Sequence, residues 1–265
     1  MRYFKIILKG EINMKFYEYG DKNLPHIMLL HGAGWSYWLY LREARLLQNR
    51  YHVILAVIDG HGEEGNIPYI STERIVDKLI EYIDKNCGGK LFAVSGVSLG
   101  GQITIELLSR KSDIAQKAII ESGLCIPSPA LLKYSTFMYK LCGKWMFSKG
   151  FNKWALKMLP KRMQFPKEIA ELYLRDFTSM KTDTMIRISE TYFLYTIKES
   201  LKDSKADTIY WYGSKEMKCI KQSSKLFQSY MKKCKIVELK GYAHAEISAY
   251  HPEEWVKKAE EFFLL

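Results

Sequence analysis

Ser98 stands in the run Gly96-Val97-Ser98-Leu99-Gly100-Gly101, a spacing that can turn an ordinary hydroxyl into a nucleophile. In G-x-S-x-G the serine occupies a strained turn between a strand and a helix, where any side chain two positions to either side would collide with the adjoining backbone. The continuous apolar run Leu91 to Val94 precedes the motif and a helical pattern, Leu99 to Arg110, follows it, so both flanking elements are present. The hydroxyl is then expected at the carboxyl end of a sheet and at a helix N-terminus, where backbone N–H groups and the helix dipole favour a developing negative charge. A second turn, His31-Gly32-Ala33-Gly34, follows the apolar run Ile27 to Leu30. Such a turn can aim a backbone N–H at a substrate oxyanion, and one donor of that kind is worth about 2.7–4 kcal/mol.

These turns need a frame. Val53 to Ile58, Ala118 to Ile120 and Ile209 to Tyr212 are, like Ile27 to Leu30 and Leu91 to Val94, continuously apolar. Runs apolar on both faces suit strands of a parallel sheet covered by helices on both sides. Helical stripes lie between them: Thr72 to Asn86, with Ser71 or Thr72 as N-cap and Glu73 in the first turn, then Leu99 to Arg110, Lys218 to Lys232 and Pro252 to Leu265. The alternation predicts an α/β fold with a doubly wound, mostly parallel sheet. Tyr3 to Leu8 and Ile12 to Tyr19 alternate instead, around Lys9-Gly10-Glu11, and predict an antiparallel pair. From Pro127 to Lys205 no buried strand is evident, only helical periodicity broken at Gly143, Gly150, Pro160 and Pro166. The expected organisation is a sheet domain, residues 1–126 plus 206–265, interrupted by a helical cap, residues 127–205.

The order of His31-Gly32-Ala33-Gly34, Asp59-Gly60-His61-Gly62, the Ser98 motif, a helical insertion and Gly241-Tyr242-Ala243-His244 resembles the α/β-hydrolase superfamily. The resemblance covers essentially the whole chain outside the insertion. It implies an eight-stranded sheet whose second strand is antiparallel, a cap after the sixth strand, and a triad in the order serine, acid, histidine. Mapped onto this chain the triad is Ser98, Glu216 and His244, and the oxyanion donors are the N–H groups of Ala33 and Leu99. Epoxide hydrolases and haloalkane dehalogenases of the superfamily use a carboxylate at the elbow, which Ser98 excludes.

Each partner also has its own chemistry. A serine needs a base, and the base needs a third group to orient it. Of six histidines, His26 and His52 begin strands, His251 precedes Pro252 at a helix start, and His31 and His61 lie in glycine-rich turns suited to structural or substrate contacts. His244 follows the strand Lys235 to Leu239 and a glycine, on a loop that returns to the carboxyl edge, and it is the favoured base. Glu216 lies four residues beyond Tyr212, where most of the superfamily carries Asp; Glu121, at the end of Ala118 to Ile120, is the alternative acid. Asp59 and Asp207 are weaker candidates, one in a structural turn and one at a strand start.

Composition bounds the rest. Among 265 residues 48% are hydrophobic, which excludes a disordered chain, and the longest aliphatic run, Val53 to Ile58, is six residues where a membrane span needs roughly 18. The N-terminal apolar stretch contains Lys5 and no small-residue cleavage site follows, so a cytoplasmic location is expected. Cys87, Cys125, Cys142, Cys219 and Cys234 are odd in number and show neither disulfide nor zinc spacing. No metal cluster or dinucleotide fingerprint occurs, so no cofactor is expected.

The net charge of +11 is concentrated: residues 127–205 hold 15 Lys+Arg against 7 Asp+Glu. Lys149, Lys153 and Lys157 recur at helical spacing as one basic stripe, which is either a solvated face or an attraction for an anionic substrate or lipid surface. No nucleic-acid module appears. Six of eleven methionines fall in the same segment, with Tyr134, Phe137, Tyr139, Trp145, Phe147, Phe151, Trp154, Phe165, Tyr173, Phe177, Tyr192, Phe193 and Tyr195. They are expected either to line an apolar acyl pocket or to form the cap's own core. The leading expectation is a serine hydrolase cleaving a small-molecule carboxylic ester, with lipid-like and anionic esters among the candidates, through an acyl-enzyme. Thioesterase, peptidase or carbon-carbon bond hydrolase activity, and a non-catalytic ligand-binding protein, are the alternatives.

Overall fold

The computed structural model describes residues 14–265. Its sheet is built from β1 (Lys15–Tyr19), β2 (His26–Leu30), β3 (His52–Val57), β4 (Leu91–Val97), β5 (Ala115–Glu121), β6 (Asp207–Gly213) and β7 (Lys235–Leu239), in the spatial order β1-β3-β2-β4-β5-β6-β7. Only the β1–β3 pair is antiparallel, with Phe16 opposite Ala56; the other pairs are parallel.

The continuously apolar runs are explained by cover on both faces. Met28, Leu30, Ile54 and Val94 pack with Ile75, Leu79 and Ile83 of α2 (Thr72–Asn86), Ile103 and Leu107 of α3 (Leu99–Arg110) and Phe227 of α8 (Lys218–Tyr230). The alternate residues Ile27, Leu29, Val53, Leu55 and Ala93 pack with Leu41, Ala44 and Leu47 of α1 (Leu41–Leu47) and Trp255, Ala259 and Phe262 of α10 (Pro252–Phe263). Fully burying one such side chain contributes about 1.5–3 kcal/mol, so both layers hold the sheet rigid beneath its loops. Ser71 caps α2 by accepting from the Arg74 N–H at 3.2 Å. Strand β4 runs past Val94 through Ser95 and Gly96 because Gly96 pairs with Ile120 and Val97 with Glu121, a backbone ladder that the polar Ser95 hides in the sequence.

The described residues form seven strands of the sheet where the resemblance implies eight, and β1 is the antiparallel strand, pairing with β3. The stretch 3–8, expected as its partner, lies outside the described residues. Between β5 and β6 the chain forms α4 (Pro129–Met146), α5 (Lys149–Met158), α6 (Lys167–Phe177) and α7 (Thr182–Leu194). Helix α4 lies tightly on α7: a Cβ at Gly143 would come within 2.6 Å of Thr182 Oγ1. Phe147, Met180, Met185, Ile188 and Tyr195 are buried, whereas Tyr134, Phe137, Trp145, Trp154 and Met158 are exposed, so the aromatic residues of this segment divide between an inner layer and an outer surface.

Candidate active site

Ser98 joins β4 to α3 with φ 56° and ψ −113°, a backbone conformation that costs a non-glycine residue of order 1–3 kcal/mol and is kept by its surroundings. The surroundings leave little choice. A Cβ at Gly96 would lie 2.1 Å from the Gly100 carbonyl oxygen, and one at Gly100 would lie 2.0 Å from the Leu30 carbonyl oxygen. The Ser98 N–H donates to the Glu121 carbonyl at 2.8 Å, and the Ser98 carbonyl accepts from Gln102 N–H at 3.0 Å, which locks the turn to β5 and to α3. Leu99 is the first residue of α3, so its N–H lies outside the intrahelical ladder. A Cβ at Gly32 would stand 3.5 Å from the Ser98 Cβ, which puts the turn bearing Ala33 directly beside the serine.

His244 and Glu216 come from the loops after β7 and β6. The His244 Nδ1 lies 2.9 Å from Glu216 Oε1 and 3.0 Å from Oε2. The Glu216 carboxylate is buried, its side chain 1% exposed, while the imidazole is 41% exposed. Ser122, the residue after β5, has φ 52° and donates its hydroxyl to Glu216 Oε1 at 2.5 Å. With Nδ1–H committed to a carboxylate, a neutral imidazole presents Nε2 as its lone-pair nitrogen. The His244 loop is held by Ala245 in a left-handed conformation and by the Ala243 N–H donating to Glu246 Oε2 at 2.8 Å.

Glu121 is placed differently. Its carboxylate accepts from Ser248 Oγ at 3.0 Å and from Trp255 Nε1 at 3.2 Å. Complete burial pushes its carboxyl up to about 7, with the Ser248 and Trp255 hydrogen bonds and the positive field of His244 opposing the shift. Asp59 is tied to Lys78 Nζ at 2.7 and 2.8 Å within the core, and Asp207 pairs at the sheet's far end with Lys117.

His31 and His61 are bonded to the backbone of their own turns. His31 Nδ1 lies 2.9 Å from the Gly32 carbonyl and Nε2 accepts from the Ile58 N–H at 3.1 Å, so this ring fastens the Ala33 turn to β3; burial and the neighbouring His61 hold its pKa well below the usual value. His61 leans on the Asp59 carbonyl at 3.0 Å, and burial lowers its pKa to about 4.

The aromatic inventory of the helical segment did not distinguish Tyr192 as a site residue. It lies on α7, and its phenol stands beside Ser98, pushed well up by burial and eased by the serine hydroxyl. Gln102, one turn into α3, donates to the Tyr192 carbonyl at 2.9 Å and to the Leu124 carbonyl at 2.8 Å, tying α7 to α3. Phe177 of α6 approaches the Ala33 turn: a Cβ at Gly34 would lie 2.8 Å from its Cε2. Ser122 carries no sequence signal either, because nothing in a lone serine announces a positive φ.

Residues 21–247 match the model of the family described as serine aminopeptidase, S33, and the chain therefore belongs to that hydrolase family. A pimeloyl-[acyl-carrier protein] methyl ester esterase of Nitrosospira multiformis is 28% identical over 120 residues, 43% of each chain. Solved structures share the fold at low identity. A carboxylesterase of Nitrososphaera gargenis superposes with TM-score 0.77 at 18% identity, covering 95% of this chain and 94% of the other. The thermophilic esterase of Thermogutta terrifontis gives 0.77 at 14% identity over 100% and 97%. The enol-lactonase of Burkholderia xenovorans gives 0.76 at 14% identity over 95% and 96%. The α/β-hydrolase fold expected from the sequence is therefore the fold of this chain.

Proposed function

We propose that the protein is a serine esterase that hydrolyses a small-molecule carboxylic ester through Ser98, His244 and Glu216. The observation that carries this reading is the pairing of both Glu216 carboxylate oxygens with His244 Nδ1, on the loops after β6 and β7, at the same carboxyl edge of the sheet as the serine elbow after β4. The relative named as a methyl ester esterase and the esterase and lactonase neighbours support the ester as the bond cleaved.

In this mechanism His244 Nε2 takes the Ser98 proton as Oγ attacks the ester carbonyl, and the N–H groups of Ala33 and Leu99 hold the tetrahedral oxyanion. Glu216 stays ionised, fixes the imidazole tautomer and stabilises the imidazolium. The imidazolium then protonates the leaving alcohol. Water, activated by the same nitrogen, attacks the acyl-enzyme and releases the acid with Ser98 restored. Residues 127–205 act as a cap, and Phe177 and Tyr192 on its inner side form the apolar wall of the acyl site beside Ala33 and Ser98.

Steady-state hydrolysis of p-nitrophenyl esters from acetate to octanoate tests the reading. The expected result is turnover with kcat/KM rising beyond acetate as the acyl chain fills the apolar wall. Activity on amino-acid p-nitroanilides exceeding that on every ester would make the enzyme a peptidase with the same triad, and acetate as the best ester would remove the apolar acyl site.

A further inference from the structure

The outer face of α4 and α5 carries an apolar stripe with no protein cover among the described residues. Tyr134, Phe137, Leu141 and Trp145 of α4 are 64%, 61%, 66% and 59% exposed, and Trp154 and Met158 of α5 are 58% and 65% exposed. At helical spacing the four α4 residues fall within an arc of about 80°. Gly143, pressed on Thr182 of α7, lies on the opposite face. The two stripes are continuous: the Trp145 and Phe151 rings lie 3.8 Å apart and the Phe151 and Trp154 rings 5.8 Å apart. Together they expose on the order of 700 Å2, above the roughly 300–600 Å2 of the largest patch on an ordinary soluble monomer.

The two helices that carry this patch hold basic and no acidic side chains. Lys133, Lys140 and Lys144 lie beside the α4 stripe and Lys149, Lys153 and Lys157 beside the α5 stripe, all of them exposed. Between Glu121 and Glu168 the sequence holds no Asp or Glu at all. None of these six lysines has a carboxylate partner among the described residues. Tryptophan, tyrosine and phenylalanine over a row of unneutralised lysines is the side-chain set of a helix that lies in a lipid headgroup layer, with rings in the acyl boundary and ammonium groups on lipid phosphates. No helix among the described residues is long and apolar enough to cross a membrane, so such a contact would be interfacial.

We infer that the α4–α5 face docks the protein on an anionic lipid surface. The tryptophans enter the headgroup layer and the lysine row selects negatively charged lipid. Because α4 packs on α7, which carries Tyr192 to Ser98, the docked face lies across one helix from the proposed ester site. This docking does not depend on the hydrolase reading, since vesicle binding is measured without turnover.

The test is co-sedimentation and tryptophan emission of the full chain with vesicles of phosphatidylcholine alone and of phosphatidylcholine with about 30 mol% phosphatidylglycerol, at about 0.1 and 0.5 M salt. Two variants accompany it, Trp145→Ser with Trp154→Ser, and Lys140→Glu with Lys144→Glu and Lys153→Glu, each checked for an unchanged melting profile and for short-chain ester hydrolysis within about twofold of the parent. The expected result is binding at least tenfold stronger to the anionic vesicles, weakened by salt and by either variant, with a blue shift that the tryptophan variant abolishes. Absence of vesicle binding, or binding indifferent to headgroup charge, would overturn the inference. So would a concentration-dependent dimer that the tryptophan variant dissociates in the absence of lipid binding, because the patch would then be covered by a second copy.

Discussion

Glu216 meets His244 with both carboxylate oxygens, Oε1 at 2.9 Å and Oε2 at 3.0 Å from Nδ1, while Glu121 spends its own carboxylate on Ser248 and Trp255. The distinction sets the first expectation. Glu216→Ala should lower kcat on p-nitrophenyl butyrate by about 10²–10⁴-fold with little change in KM, because the imidazole loses its tautomer and orientation. Glu121→Gln should retain most of the turnover. Equal losses in the two variants, or a larger loss in Glu121→Gln, would reverse the assignment.

Glu121 carries a second expectation, in stability. Burial raises its carboxyl from the ordinary 4.5 to about 7, so the folded state binds this proton more tightly than the unfolded chain. Its contribution is fully present below about pH 4.5 and is lost as pH rises through about 7. Urea unfolding at pH 5 and pH 8 should therefore show the parent losing stability, by roughly 1–3 kcal/mol, with the loss much reduced in Glu121→Gln. Parallel pH slopes would mean that Glu121 titrates normally.

The Tyr192 phenol beside Ser98 belongs to the helical segment and not to the sheet. Tyr192→Phe keeps the ring and removes the hydroxyl, so kcat should fall by about three- to tenfold, the scale of one neutral hydrogen bond. Tyr192→Ala should in addition raise KM for longer acyl esters by opening the apolar wall. Unchanged kinetics in both variants would place Tyr192 outside the site.

The elbow tolerates no side chain at Gly100, whose Cβ would meet the Leu30 carbonyl oxygen at 2.0 Å. Gly100→Ala should either fail to accumulate as folded protein or fold with a melting temperature lowered by several degrees and a kcat reduced by 10²-fold or more, since α3 must shift away from the oxyanion turn. An alanine variant of parental stability and activity would show that the close approach is not as described.

The sheet and the serine elbow were legible in the sequence because their physical causes are local. Strands covered on both faces, such as Val53 to Ile58, read as unbroken apolar runs, and the Ser98 turn demands glycines at fixed distances. Glu216 was legible by position, one short loop beyond a buried strand. What the sequence left open depends on packing between distant segments. The pairing of β1 with β3 depends on the distant segment Val53 to Val57, not on any residue of β1 alone. The helical segment has two apolar faces, one against the core through Phe147 and Phe177 and one outward through Phe137 and Trp145, and periodicity cannot say which faces the site. Ser122, gripping Glu216 from the end of β5, is visible only once the loops are assembled.

The central claim is that Ser98 is a nucleophile activated by His244. Labelling of the folded protein by a fluorophosphonate probe, with the modified peptide located by mass spectrometry, tests it most directly. The expected result is stoichiometric labelling at Ser98, slowed by at least 10²-fold in His244→Ala and absent in Ser98→Ala. An intact, folded protein that leaves Ser98 unlabelled, or that labels equally fast without His244, would contradict it.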